Sequence, residues 1–187
     1  LTQATFGPTE AEINALTAST YENWIEAQFA LPRVSHYQYV LGLEAQGIEI
    51  DNFSNRYALE SWWKQAVTGP DQLRQRVAWA LSQILVVGEQ DSVRNGAYYD
   101  LLAANAFGNY RQLLEDVTLS PAMGQWLSHI GNQKEDAATG RLPDENYARE
   151  LLQLFSIGLW EQNLDGTPLL DATGQPIPSY DQSTVEG

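Results

Sequence analysis

Apolar residues recur at helical spacing through most of this 187-residue chain, and the clearest example is the stretch from Pro143 to Gly158. Pro143 and Asp144 are typical of a helix start, with Asp144 as the N-cap, and Gly158 is typical of a helix stop. At about 100° per residue, one stripe of this helix is polar and the opposite arc is apolar. The polar stripe holds Asn146, Arg149, Glu150 and Gln153, and the arc holds Tyr147, Ala148, Leu151, Leu152, Leu154 and Phe155.

The same spacing, broken by caps, glycines and prolines, predicts a mainly α fold, an irregular multi-helix bundle of roughly seven or eight helices. Thr9 and Glu12 form a capping box for the first helix, and Ser19 or Thr20 caps the second. Residues 33–57 fit no single period, so we expect mostly coil there. Further helices are predicted over residues 57–68, 71–87 and 97–118, the last with a candidate interruption at Gly108-Asn109, and from Pro121 onward.

The helix predicted over residues 71–87 has one apolar face, and its other face is mixed. Arg76 and Gln83, seven residues apart, would share a semi-buried line on the mixed face, where a guanidinium needs a carboxylate or several acceptors. We expect the apolar face to lie in the core, and it comprises Leu73, Val77, Ala80, Leu81, Ile84 and Leu85.

Turn signals cluster late in the chain. Asp165-Gly166 is a strong hairpin signal, and a second turn lies between Asp171 and Gln175. These two turns predict a small β-hairpin near residues 160–180.

The charge balance excludes some partners. The chain has 24 acidic and 10 basic residues, a formal net charge of −14, which argues against nucleic acid and anionic lipid, because both need Lys and Arg. It has no cysteine, and no run approaches the roughly 18 apolar residues of a transmembrane helix. The sequence opens at Leu1 without a methionine and stops at Gly187 without a closing signal, so we expect both ends to be cut from a longer protein.

The polar stripe of the helix at residues 143–158 has three interpretations. Glu145 and Arg149 form an i,i+4 pair, which is typical of a solvated face with ordinary salt bridging. In a functional interpretation the stripe faces a cleft, with Glu150 as acid or base and Arg149 as a clamp for an anion. In the third, Glu150 pairs with Arg76 of another helix and the pair is architectural.

No cofactor or metal motif is present. His36 and His129 are the only histidines, and no spacing of His or carboxylates announces a metal site, so we expect both to be structural. The twenty aromatic residues favour a packed core, while Trp62-Trp63, Tyr98-Tyr99 and the Tyr37/Tyr39 pair are an alternative carbohydrate-stacking surface.

Four segments together resemble the DUF1800 family of bacterial proteins. They are ATFGPTEAEI at residues 4–13, LRQRVAWALSQILVV at 73–87, YYDLLAANAFGNYRQLLEDVTLSPAMGQWLSHIGN at 98–132, and PDENYARELLQLFSIGLW at 143–160. The resemblance implies that residues 1–187 are a single α-helical region, the N-terminal part of a longer domain. The resemblance identifies no catalytic residues. It implies that the protein is exported and that its partner is a DUF1501-type protein.

Seven polar positions match the family's pattern, and we nominate them as a site. Asp144 and Gln153 depart from it, since Asn and Glu are expected there, and the loss of an acid at Gln153 weakens a mechanism with paired carboxylates. We expect a module that acts by association with a partner protein or a cell-surface assembly, with an extracellular hydrolase as the alternative. The matching positions are Arg76, Gln83, Asn132, Glu145, Asn146, Arg149 and Glu150.

Overall fold

The computed structural model describes residues 1–51, 53–88 and 90–186, and these fold into ten helices. The protein is therefore mainly helical, as predicted. The helices are α1 (Glu10–Thr17), α2 (Tyr21–Ala30), α3 (His36–Ala45), α4 (Arg56–Thr68), α5 (Gln72–Ser82), α6 (Ser92–Asn105), α7 (Tyr110–Thr118), α8 (Pro121–Trp126), α9 (Asn146–Gln153) and α10 (Gln182–Glu186).

The chain divides into two compact units, Leu1–Ala122 and Met123–Gly187, and each is described by itself. The expectation of one α-helical region over residues 1–187 stays a prediction. Within the described residues, no helix combines the length and the apolar character needed to cross a membrane.

The first unit is organised around α6, which packs against α3, α4, α5 and α7. Tyr98 of α6 is buried, and its hydroxyl donates to the backbone oxygen of Leu85 at 2.7 Å. This bond satisfies the one polar group that the ring brings into the core. The other buried apolar residues of this unit are Val40, Ala58, Ala66, Ala78, Leu85, Leu102, Ala103, Leu113, Val117 and Ala122.

Local caps begin several helices as predicted. Thr9 Oγ1 accepts from the Glu12 backbone N–H at 3.3 Å, and Glu12 Oε2 accepts from the Thr9 backbone N–H at 2.6 Å, so the capping box is confirmed. Thr20 Oγ1 accepts from the backbone N–H of Asn23 at 3.1 Å, which confirms that Thr20 begins the second helix. These bonds satisfy N–H groups that have no partner within the helix.

The prediction of coil over residues 33–57 is wrong, because α3 occupies the middle of it. Ser35 caps α3 locally, as its Oγ accepts from the Gln38 backbone N–H at 3.0 Å. Asp100 of α6 adds a tertiary cap: its Oδ1 accepts from the His36 backbone N–H at 2.8 Å. A carboxylate near the positive end of a helix is stabilising, and here it comes from 64 residues away.

The single helix predicted over residues 97–118 is two helices, α6 and α7, and the interruption lies at the candidate position. Asn109 Oδ1 accepts from the backbone N–H groups of Arg111 at 2.9 Å and Gln112 at 3.4 Å, so its side chain begins α7. The described chain has ten helices, more than the predicted seven or eight, partly because of this division and of α3.

The apolar face predicted for α5 is not the face that the structure buries. Leu85 beyond the helix end is buried, but Leu73, Val77 and Leu81 are only half-buried, and Ile84 is exposed. The buried residues of α5 are Gln72, Gln75 and Ala78. Periodicity missed this, because the glutamines occupy the core through hydrogen bonds rather than through apolar contact.

The predicted β-hairpin near residues 160–180 is not supported. Among the described residues of this segment, backbone pairing is limited to isolated antiparallel bridges. Every one of them has a proline on one side, and proline lacks the N–H that would extend pairing into a ladder. The bridges join Trp160 to Pro178, Gln162 to Pro168 and Leu170 to Pro176.

The second unit has a small apolar core, to which α9 contributes Tyr147 and to which Phe155, just beyond the helix, also belongs. Only part of the predicted apolar arc is covered, since Leu154 is exposed. α9 begins at Asn146, so the prediction of Asp144 as N-cap is wrong. Asp144 Oδ1 instead accepts from the Asn146 backbone N–H at 2.9 Å, two residues on.

A glycine sets the approach of α3 to α6, and its replacement is a test of this packing. A Cβ at Gly96 would lie 3.2 Å from the Tyr37 backbone nitrogen and 3.3 Å from the His36 carbonyl carbon, whereas one at Gly42 of α3 meets open space. We expect Gly96→Ala to lower the free energy of unfolding by roughly 1–2 kcal/mol through overpacking. Gly42→Ala should raise it by about 0.5–1 kcal/mol through helix propensity. Urea unfolding of both variants measures this, and equal effects would contradict the close approach.

Candidate functional site

Three side chains form a closed polar ring beside α9. Arg149 Nη2 donates to Glu145 Oε2 at 2.6 Å and to Gln182 Oε1 at 2.5 Å, and Gln182 Nε2 donates to Glu145 Oε1 at 2.9 Å. The predicted i,i+4 pair of Glu145 and Arg149 is therefore confirmed, with a third member from α10. The bonds from Gln182 and then from Arg149 lower the pKa of Glu145.

The polar ring already uses Nη2 of Arg149, the residue that the sequence nominated as a clamp for an anion. Arg149 remains 43% exposed, so an incoming anion can reach it, but must compete with Glu145 for the guanidinium. Exposed ion pairs of this kind contribute little to stability, because water and salt screen both charges. The geometry thus fits the solvated salt-bridging interpretation, and the clamp stays a prediction.

Asn132 closes the loop that leads into α9. Its Nδ2 donates to the Asp144 carbonyl oxygen at 2.8 Å, and its Oδ1 accepts from the Asp144 backbone N–H at 2.9 Å. The amide side chain thereby pairs with both backbone groups of one residue and holds the two ends of the loop together. An open groove of about 890 Å³ lies alongside, lined by Asn132, Gln133, Lys134, Glu135, Leu142, Pro143, Glu145 and Gln182.

The other nominated residues of α9 are dispersed. Glu150 is half-buried, and its Oε2 is shielded from solvent without a hydrogen-bond partner among the described residues. Gln153 Oε1 accepts from the Tyr180 hydroxyl at 3.3 Å, and Asn146 is exposed. The groove beside Asn132 is not lined by Glu150 in the described part of the chain.

Arg76 and Gln83 do not form the expected semi-buried line. Gln83 is exposed at the end of α5, where its Nε2 donates to Ser82 Oγ at 3.2 Å. Arg76 lies against rings, its Cζ 4.5 Å from the ring centroid of Trp79 and 5.5 Å from that of Phe6. Arg76 and Glu150 belong to different units, so their pairing stays a prediction.

The first unit contains a buried series of side-chain hydrogen bonds that the sequence did not predict. We name this series the His36 chain, and its members are Asp71, Gln75, His36 and Ser61. Gln75 Nε2 donates to Asp71 Oδ2 at 3.0 Å. His36 Nε2 lies 3.1 Å from Gln75 Oε1, and His36 Nδ1 lies 3.0 Å from Ser61 Oγ. All four residues are buried, with Asp71 and Ser61 at 0% exposure.

The amide of Gln75 fixes the tautomer of His36. A carboxylate only accepts, so Gln75 directs its NH₂ group to Asp71 and its oxygen to His36. His36 Nε2 therefore carries the proton, and Nδ1 accepts from the Ser61 hydroxyl. Burial lowers the pKa of His36, while the bond to Gln75 and the charges of Asp100 and Asp71 oppose that shift.

The start of the His36 chain resembles a nucleophile and its base, since a serine hydroxyl donates to an imidazole. Ser61 is fully buried, however, so no substrate reaches it in this conformation. The chain instead connects α3, α4 and α5, and Asp100 extends it to α6 by accepting from Ser35 Oγ and the His36 backbone N–H. We conclude that His36 is structural, as expected, and that its role is to join four helices.

No sequence signal announces the His36 chain, because only Asp71 and Gln75 are close in sequence, four residues apart, while His36 lies 25 residues from Ser61 and 39 from Gln75. The buried glutamines on α5 are the one available sign, and they become informative only when the helix's core-facing side is known.

Comparison with known proteins decides the family. The model of a family described as "Protein of unknown function (DUF1800)" matches residues 1–187, the whole chain. The chain belongs to the DUF1800 family. No curated protein and no solved structure shows significant similarity to this DUF1800 chain.

The family description assigns no chemistry, so any role for this DUF1800 chain has to come from its own side chains. Within the described residues, no group of three or more His, Asp or Glu side chains is arranged to hold a metal ion. The geometry offers a polar ring beside α9, a stacked arginine on α5 and exposed apolar side chains.

The His36 chain predicts a pH dependence of stability. The folded state holds the imidazole neutral, while the unfolded chain takes up a proton near its ordinary pKa of about 6.5. The contribution is therefore fully present above about pH 6.5 and is lost as the pH falls toward the lower folded pKa.

We expect the free energy of unfolding to fall between about pH 7.5 and about pH 5.5, and His36→Gln to have a shallower slope while being less stable throughout. Urea unfolding followed by circular dichroism measures both slopes. Identical slopes for the two proteins would show that His36 is not held neutral.

Proposed function

We propose that this chain is an association module of an exported bacterial protein, and that it binds a partner protein through an exposed apolar surface. That surface, here the 154–160 surface, consists of Leu154, Ile157, Leu159 and Trp160. The observation that carries the proposal is their exposure, 61%, 55%, 45% and 41%, within one short segment. Exposed apolar side chains in a cluster mark interaction sites more often than scattered ones do.

The backbone under the 154–160 surface is ordered by its own hydrogen bonds. The Leu152 carbonyl oxygen accepts from the backbone N–H groups of Ile157 at 3.0 Å and Gly158 at 2.9 Å. Gly158 has φ +79°, the left-handed conformation that ends a helix and favours glycine. A surface held in this way loses little conformational entropy on binding, which favours affinity.

The charge around this surface favours a basic partner. Residues 151–187 contain five carboxylates and no Lys or Arg. The pKa of Asp165 is lowered by the Thr167 hydroxyl and backbone N–H, and the pKa of Asp171 by the Gln175 backbone N–H and the Thr173 hydroxyl. Negative charge thus persists in mildly acidic surroundings, and we propose a partner with apolar side chains flanked by Lys or Arg.

The family resemblance supplies the partner to test first, a DUF1501-type protein, because members of the family are often encoded beside such proteins. Export is likewise supported by the family resemblance.

Replacing two apolar side chains tests the association. We expect Leu154→Ser with Ile157→Ser to weaken binding to the DUF1501-type protein by about 10- to 100-fold, since central apolar contacts each carry on the order of 1–2 kcal/mol. Calorimetry with the purified full-length proteins measures the affinity. Binding should also weaken with added salt, because the complementary charges are screened.

Tyr21→Ser is the matched control, as Tyr21 is 76% exposed on α2 of the other unit and should leave the affinity unchanged. Equal weakening by Tyr21→Ser, or full affinity in the double variant, would refute the 154–160 surface as the docking site.

A second function, hydrolysis of an extracellular substrate, is supported by one observation on Glu150. Glu150 is half-buried, and its Oε2 has no hydrogen-bond partner among the described residues, so this oxygen can exchange a proton once a conformational change opens it to a substrate. Arg149, the neighbouring cation, would orient an anionic group of the substrate.

If the chain is a hydrolase, Glu150→Gln should reduce turnover of chromogenic glycosides or esters by about 10²- to 10⁴-fold. Glu115→Gln, an exposed acid of α7, is the control and should keep full activity. Absence of turnover above the uncatalysed rate in the unsubstituted protein would remove this second function.

A further inference from the structure

The first unit has an aromatic cleft that none of the residues discussed for association uses. We name it the Arg76 cleft, after the cation among four rings: Phe6, Trp62, Trp63, Arg76 and Trp79. Its volume is about 590 Å³, which lies within the roughly 300–1,000 Å³ typical of ligand pockets. Trp63 is 61% exposed, so a ligand has an indole surface on which to stack.

The rings are arranged edge to face around the cation. Phe6 and Trp62 have centroids 5.3 Å apart at 78°, and Trp62 and Trp63 have centroids 4.9 Å apart at 81°. Arg76 Cζ lies 4.5 Å from the Trp79 centroid and 5.5 Å from that of Phe6. A guanidinium that stacks on a ring keeps the N–H groups in its plane able to donate.

No carboxylate of the described residues neutralises the charge of Arg76. Among the described residues no carboxylate lies within ion-pair distance of it, although the chain has 24 acidic residues for 10 basic ones. The described residues that line the cleft include no Asp or Glu. This cleft is therefore a locally positive site in a strongly acidic protein.

A buried amide holds the walls of the cleft together. The Phe6 backbone N–H donates to Gln72 Oε1 at 3.1 Å. Gln72 Nε2 donates in turn to the carbonyl oxygens of Gln65 at 3.1 Å and Gly69 at 2.9 Å. Gln72 thus fastens the N-terminal segment to the α4–α5 connection, so that Phe6 faces Trp62 before any ligand binds.

We propose that the Arg76 cleft binds a saccharide that carries a carboxylate, a uronic acid residue. The apolar faces of a pyranose ring pack on indole, and a guanidinium pairs with a carboxylate through two parallel hydrogen bonds. The cleft combines an indole surface with a guanidinium. A neutral sugar would use only the indole surface, and a simple anion would use only the guanidinium.

The net charge limits the ligand to a short one. A long polyanion would meet the other charges of a chain at −14, whereas a single carboxylate at Arg76 is screened from charges beyond a Debye length of about 8 Å. A mono- or disaccharide with one carboxylate can pair with Arg76 without bringing further negative charge toward the acidic protein.

Three probes on the unsubstituted protein test the proposal without depending on any variant. We expect saturation-transfer NMR to show binding of methyl glucuronide about tenfold tighter than of methyl glucoside or of acetate. Equal binding of the glucoside would remove the role of the carboxylate. Equal binding of acetate would reduce the site to an anion clamp, and no binding of the glucuronide at about 50 mM would refute the site.

Variants then assign the binding to the cleft. Arg76→Gln should abolish the preference for the glucuronide, and Trp63→Ala should weaken both sugars by about tenfold. Trp126→Ala, a 46% exposed tryptophan outside the cleft, is the matched control and should change neither. Unchanged affinities in Arg76→Gln, with the circular dichroism of the folded protein retained, would overturn the proposal.

Discussion

The first unit depends on one constraint: polar side chains in its interior have to be paired. Desolvating an unpaired amide or hydroxyl costs roughly 1–3 kcal/mol, so the four side chains of the His36 chain stabilise the fold only when α3, α4 and α5 lie in one relative position. The donors run in a single direction, from Ser61 through His36 and Gln75 to Asp71. A shift of any of these helices along its axis would leave buried donors without acceptors. The His36 chain therefore selects one packing of α3, α4 and α5 among those that apolar contact alone would allow.

The sequence predicted the elements whose determinants are local. Thr9 with Glu12 began α1, Thr20 began α2, and the apolar spacing after residue 57 found α4. It failed at α3, whose N-terminus depends on Asp100, 64 residues away. It also failed at the hairpin, where turn signals were real but proline stood at each pairing position. The two failures have different causes: periodicity cannot show the contact between distant segments that caps α3, whereas the prolines of the hairpin segment are visible in the sequence and argue against a ladder.

In the candidate site, too, the sequence predicted the local contacts and did not predict the contacts between distant residues. Spacing along a helix was enough to predict that Glu145 and Arg149 pair, but Gln182, which completes their ring, lies 33 residues beyond Arg149. Arg76 was nominated as a cation in need of a carboxylate or several acceptors, yet the sequence could not show that it lies against the rings of Phe6 and Trp79. Phe6 reaches it through a bond to Gln72, a contact across 66 residues. The contacts that the sequence did not predict join residues that are far apart along the chain. Their residue types were visible in the sequence, but their proximity was not.

The prolines of the second unit have a consequence for how the protein behaves at high concentration. A segment with exposed apolar side chains and free strand edges recruits copies of itself, since each edge offers a row of N–H and C=O groups to the next chain. Between residues 159 and 179 the antiparallel bridges of the described residues are isolated, and Pro168, Pro176 and Pro178 each remove one N–H from such a row. The neighbouring Leu159 and Trp160 can thus remain in solvent without nucleating cross-β stacking. The prolines thereby reduce the number of backbone donors that a second copy of the chain could pair with along this segment.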